Sequence, residues 1–180
     1  VIITGGFEAL KSAGHDCDID YARSLLVERL ALAAELADSY RVRLAFEPLH
    51  PMVCGFRSIV STLQESLDIL DQMDDSHDIG LAIDTYALWW EHDLQEKLKR
   101  AGRRILNYHV SDWLADTRDL RLDRGMPGDG QIALCDWRHM IEAAGYFGPI
   151  EVEIFSRDRW WKTPAEKTIE EIIQRMNSAF

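Results

Sequence analysis

Cysteine is scarce and does not pair up by spacing. Cys17, Cys54 and Cys135 form an odd, widely separated set, which argues against a disulfide scaffold and favours a reducing compartment. No apolar run reaches membrane-spanning length and no signal-peptide pattern is visible, so the expected location is cytoplasmic. Positive charge is also in deficit: 20 Lys and Arg stand against 31 Asp and Glu, a formal net charge of -11. That balance argues against a nucleic-acid or anionic-membrane partner. The chain has no cysteine-type or HExxH metal motif and no glycine-rich phosphate cradle.

What is present is a globular composition. The chain has 180 residues, 47% of them hydrophobic, enough for one sizeable core. No internal boundary or low-complexity run divides it, so residues 1–180 read as a single domain. It opens on Val1 within a short apolar strand, Val1 to Thr4, closed by Gly5-Gly6. An N-terminally truncated domain is therefore the expectation.

The organising stretch is RVRLAFEPLHP, residues 41–51. Val42, Leu44 and Phe46 alternate with Arg43, Ala45 and Glu47, the period of a strand that delivers Glu47 at its C-terminal end. Three later strands are read at 79–84, 105–110 and 150–155, carrying Asp84, His109 and Glu153 at or near their ends. Between them the pattern is helical: Asp20 to Ser39; a helix capped by Ser61 or Thr62 and stopped at Asp74–Ser76; Leu94 to Arg104; 136–144; and Glu166 to Met176 with an Ile169, Ile172, Ile173, Met176 stripe. Residues 7–19 read as loop, and the long polar segment 111–131 as an ordered, functional loop. Strands separated by helices pair in parallel. That order places Glu47, Asp84, His109 and Glu153 on one rim, where such folds put their chemistry.

Bunched carboxylates repel one another unless a cation or proton compensates them. Three carboxylates and an imidazole therefore point to a metal site. Hard oxygen donors plus one imidazole suit Mn²⁺, Mg²⁺ or Co²⁺, with Zn²⁺ also accommodated. His50 either contacts a substrate hydroxyl or packs in its loop. Arg57 and Arg124 either hold a substrate oxygen or carboxylate, or form surface salt bridges. Trp89, Trp90, Trp113, Trp160 and Trp161 either wall a pocket or cover the core's rim. Glu151 shares a strand face with Glu153 one layer deeper, and Arg43 is its expected partner.

The segments FEPLHP, LAIDTYALWWE, NYHVSDW, DRGMPGDG and VEIFS, in that order, resemble the sugar phosphate isomerase/epimerase family built on the xylose-isomerase-like TIM barrel. The resemblance implies an α/β fold of (β/α) repeats with parallel strands. It also implies an incomplete barrel, lacking the first two strands, with a further short strand around Arg157–Lys162. An open barrel edge would be covered by a partner, such as a second copy of the chain. The resemblance further implies one divalent metal ion, Mn²⁺ first, held by Glu47, Asp84, His109 and Glu153. Glu47 and Glu153 would act as the catalytic proton-transfer pair, and Arg124 would contact a small sugar or hydroxy-keto substrate. Two departures stand out. The family's D-x-x-H imidazole falls at Ala87, with His92 nearby, and the strands number five rather than eight. The rival readings are a truncated metal-binding or structural protein without catalysis, and a metal-dependent phosphodiesterase like the endonuclease IV relatives.

Overall fold

In a computed structural model, residues 1–12, 14, 18–73 and 78–178 are described; Cys17 and the expected helix stop at Asp74–Ser76 lie outside them. The order is α1 (Phe7–Ser12), α2 (Ile19–Ser39), β1 (Leu44–Phe46), α3 (Leu63–Leu70), β2 (Ile79–Asp84), α4 (Thr85–Leu88), α5 (Leu94–Ala101), β3 (Ile105–Val110), α6 (Leu134–Ala143), β4 (Ile150–Val152) and α7 (Ala165–Ser178). Single 3₁₀ turns sit at Pro51–Val53, Gly102–Arg104 and Trp160–Lys162. The last of these occupies the place where a short strand is expected around Arg157–Lys162.

The strands form one sheet in the order β1-β2-β3-β4, every pair parallel. Register sets the rim: Asp84 stands opposite His109, and His109 opposite Glu151. The ladder runs one step past β4, where the Glu153 N–H donates to the Val110 carbonyl at 3.0 Å. The opening segment docks beside β1 without forming a full strand. Ile2 bridges Phe46 in parallel, donating to Ala45 O at 2.8 Å and accepting from Glu47 N–H at 3.0 Å.

Alternation then sorts the side chains. Phe46, Leu81, Ile83, Tyr108 and Val110 face the helices and join Leu63, Leu67, Leu98, Trp137 and Ile141 in one buried core. Truncating one of the fully buried leucines, such as Leu67, costs about 2–5 kcal/mol. The opposite face carries the small residues Ala45 and Ala82 and the polar rim residues.

Helix starts follow local chemistry. The Asp18 carboxylate accepts from Asp20 N–H and Tyr21 N–H to cap α2, and the Thr62 hydroxyl accepts from Glu65 N–H at 3.0 Å to cap α3. Several expectations are corrected. Residues 7–12 are helical. Val42 is exposed and precedes β1, with Arg41 in the left-handed region at φ 58. The helix expected over Leu94–Arg104 gives way to a 3₁₀ turn at Gly102, φ 50. Helix α6 begins at Leu134 rather than 136. The α7 stripe is helical as expected, and Ile169 and Ile173 on it are exposed.

Candidate metal centre

Each strand end contributes one group. Glu47 follows β1 directly and is buried. Asp84 closes β2 and caps the short helix α4, its Oδ1 accepting from Tyr86 N–H at 2.9 Å. His109 lies one residue from the end of β3, its Nδ1 3.3 Å from Glu47 Oε1. Glu153 follows β4 and is half-buried.

One ligand atom each from Glu47, His109 and Glu153 lie within 4.8 Å of one another. Atoms that close can all reach a single ion at about 2.0–2.4 Å. Two carboxylates and an imidazole converging at a strand rim are a donor set that fits one divalent ion. Asp84 stands apart from this triad. It is fully buried, and its Oδ2 accepts from Arg124 Nη1 at 2.9 Å.

Arg124 links the parts. Its Nη1 also reaches Glu153 Oε2 at 2.9 Å and Ser111 Oγ at 3.3 Å. The guanidinium carbon lies 4.4 Å from the Tyr86 ring centroid and 5.1 Å from that of Phe155. Arg124 Nε is buried without a hydrogen-bond partner among the described residues. The long polar loop delivers this side chain through backbone pairing, with Asp112 bridging Gly125 and Asp123 bridging Ser156. The Asp112 carboxylate, itself buried, accepts from the backbone N–H groups of Trp113, Gly128, Gly130 and Ile132 at 2.8–3.0 Å. Asp112 thus pins the loop, and the close approach leaves no room for a Cβ at Gly130, which would meet Trp113 O at 2.2 Å.

The electrostatics follow from this crowding. Burial opposes protonation of His109, but the hydrogen bond to Glu47 and the charges of Glu47, Glu153 and Asp84 outweigh it and raise its pKa. Burial raises the Glu153 pKa, and Asp84 and Glu47 push it further up against the pull of Arg124 and His109. Burial alone would favour neutral Arg124, yet Asp84 and Glu153 hold its pKa above the ordinary value.

The remaining expected residues fall nearby. His50 Nδ1 accepts from Met52 N–H at 3.2 Å, and its ring packs 4.8 Å from Trp113 and 6.0 Å from Trp90. Burial lowers its pKa, which favours the neutral ring. Trp89 joins the same cluster at 5.7 Å from Trp113. Trp161 packs instead on Phe155 and is exposed. Arg57 lines a recess with Arg121 and Arg124. Ala87 is buried at the position of the absent imidazole, and His92, being exposed, does not fill it.

The expected Glu151–Arg43 pair does not form. Arg43 precedes β1 and pairs with Asp78 at 2.7 Å. Glu151 is exposed, accepts from Asn107 Nδ2 at 2.8 Å and lies 4.0 Å from His109 Nε2. Ser111, Tyr86 and Arg121 were not singled out by sequence; the arginine-rich run around 118–124 was the available signal for the last.

A parallel β/α sheet carrying two carboxylates and an imidazole at its C-terminal rim defines an α/β-barrel-type protein with a candidate metal centre. The family model described as xylose isomerase-like TIM barrel matches residues 2–179, and the chain belongs to that family. It is similar to protein SMc04130 from Sinorhizobium meliloti 1021, at 44% identity and TM-score 0.87, covering 91% of this chain and 60% of that one. It also resembles the IOLI protein, solved with a zinc atom, at 23% identity and TM-score 0.76, covering 92% and 58%. A third similar structure is the D-psicose 3-epimerase with D-tagatose from Clostridium cellulolyticum H10, at 18% identity and TM-score 0.72, covering 92% and 58%. The chain thus spans about 60% of the length of these structures. No curated protein matches it.

Proposed function

We propose that this chain carries the reacting rim of a metal-dependent isomerase or epimerase that moves a proton on a small sugar or hydroxy-keto compound. The convergence of Glu47, His109 and Glu153 ligand atoms within 4.8 Å carries this reading. Glu47, His109 and Glu153 would hold one divalent ion, with Asp84 completing the set once its oxygen is shared with or released by Arg124. Mn²⁺ suits the hard carboxylates and single imidazole, and the zinc in the IOLI structure makes Zn²⁺ the competing metal. When bound, the ion supplies Lewis acidity to a carbonyl and its neighbouring hydroxyl.

The chain's own groups do the rest. Glu153, at the rim beside Glu47 and His109, is placed to take a proton from the carbon alpha to the carbonyl. Glu47 returns or relays a proton on the other side, and the enediolate that forms between the two steps is a shared feature of isomerase and epimerase chemistry. Arg124 holds a substrate oxygen as negative charge develops. Trp89, Trp90, Trp113 and His50 wall the rim and exclude water. The epimerases of like fold, such as the D-psicose 3-epimerase, make a small ketose the first substrate to try.

The test is Mn²⁺ binding by isothermal titration, with solvent-deuterium incorporation into a small ketose measured by NMR. Glu153→Gln is expected to lose ion affinity about tenfold or more and to abolish exchange. Glu151→Gln is expected to keep the ion. Loss of the ion in the folded Glu151 variant alone would move the ligand role to Glu151 and overturn the assignment.

A further inference from the structure

Beside the metal-type triad lies a second concentration of charge, of which the proposed reaction uses only Arg124. A recess lined by His50, Arg57, Tyr86, Ala87, Arg121 and Arg124 carries three arginines on a chain of net charge -11. Arg57 forms no ion pair with a carboxylate among the described residues, and neither does Arg121. Asp119 and Asp123 are the acids closest in sequence to Arg121, but the Asp119 carboxylate accepts from the backbone N–H groups of Arg121 and Leu122 and pairs with Arg157 at 3.4 Å, while Asp123 accepts from Arg118 N–H at 3.0 Å and pairs with Arg159 at 3.6 Å. Arg124, only 9% exposed, also lines the recess, and its Nε is buried with no hydrogen-bond partner among the described residues. A buried donor of this kind is expensive unless something accepts from it. The facing His50 ring favours its neutral form, so it adds no further cation. It can offer only one polar edge, and its Nδ1 is taken by Met52 N–H.

We infer that the substrate of the proposed site carries a carboxylate, seated in this recess against Arg57, Arg121 and Arg124, so that the enzyme acts on a small sugar acid or hydroxy-keto acid. The inference rests on the proposed proton-transfer reading, since Arg124 is the group common to both places. The recess holds about 30 Å³, room for about two water-sized groups, which matches the two oxygens of a carboxylate better than a phosphoryl group. The planar guanidinium offers a fork to each carboxylate oxygen. Buried Ala87, having only a methyl group, leaves this space open. Arg124 Nη1 is engaged by Asp84 and Glu153 at the rim, so an anion on another edge of the same guanidinium would lie beside the group proposed as the base.

Titration calorimetry on the 180-residue chain tests this, with D-glycerate and D-gluconate against glycerol and D-fructose, and with glycerol 3-phosphate as the phosphate arm. The carboxylates are expected to bind at least about tenfold more tightly than their neutral counterparts, with affinity falling as salt rises. The double variant Arg57→Gln/Arg121→Gln, at a half-exposed and an exposed position, is expected to keep its thermal melt and lose about tenfold in carboxylate affinity. Equal or tighter binding of the neutral compounds, tighter binding of the phosphate, or unchanged carboxylate affinity in the double variant would each overturn the inference. Ion content measured on the same samples separates the two readings. One ion per chain without carboxylate preference removes this inference alone. Arginine-dependent carboxylate binding without any ion supports the recess and removes the metal-dependent reaction.

Discussion

Replacing Arg124 by Met keeps most of the side-chain volume and removes the only guanidinium that touches Asp84 among the described residues. Asp84 has no solvent exposure, and its Oδ2 lies 2.9 Å from Arg124 Nη1. Its other oxygen is occupied by the α4 cap. Breaking a buried pair by removing one partner costs about 3–5 kcal/mol, because the other charge is left uncompensated. Glu153, one-third exposed, can turn to water, so its own bond to Arg124 adds little to that figure. Arg124→Met is therefore expected to lose about 3–5 kcal/mol in metal-free urea unfolding followed by circular dichroism. The same variant measured with saturating Mn²⁺ should recover part of the loss, because a cation shared by Asp84 and the triad replaces the missing charge. A loss below about 1 kcal/mol in the metal-free protein would refute the idea that Arg124 is the counter-ion on which the buried rim depends.

Three further outcomes follow from other buried polar groups. Asp112→Ala leaves four loop N–H groups without their acceptor and should cost about 2–4 kcal/mol, with faster amide exchange at Gly128, Gly130 and Ile132 by NMR. Gly130→Ala should open the same loop, because its Cβ would stand 2.6 Å from Asp112 Oδ1; unchanged exchange would contradict this. Buried Glu91 accepts from Leu63 N–H at 2.7 Å and from Lys97 Nζ at 2.8 Å, so Glu91→Gln should cost about 1–3 kcal/mol in thermal or chemical unfolding.

The elements legible in the sequence were those with a long, uninterrupted period. Helix α2 shows its stripe over 21 residues, and β2 and β3 each alternate over six. Ser61 or Thr62 marked the start of α3, and Thr62 is the residue that caps it. The short helix α1, six residues long, offers too few turns for a stripe to stand out. The α7 stripe was read correctly as amphipathic, but periodicity shows which residues share a face and not whether that face is covered. Rim placement of Glu47, Asp84, His109 and Glu153 was readable because a strand end fixes where a side chain emerges. Their partners were not. Asp84 finds Arg124 across 40 positions, and Glu91 caps α3 from 28 positions away. The Arg43–Glu151 pairing failed for a related reason. It assumed equal depth on two strands, whereas β1 is only three residues long and Arg43 lies before it.

The charges at the rim limit how many ions it can hold. Glu47, Asp84 and Glu153 bring three negative charges, and Arg124 returns one positive charge through its contacts with Asp84 and Glu153. Two negative charges remain when His109 is neutral, the form an imidazole needs to bind a metal. One divalent cation cancels them. A three-zinc cluster of the phosphodiesterase kind would bring six positive charges to this donor set and leave the buried site strongly cationic, with Arg124 adding to the repulsion. His50, with Nδ1 committed to Met52 N–H, and exposed His92 supply no second cluster of ligands beside the triad. Inductively coupled plasma analysis of protein dialysed against Mn²⁺ or Zn²⁺ is therefore expected to find about one ion per chain. A count near three would refute the charge argument and with it the proton-transfer reading of the site.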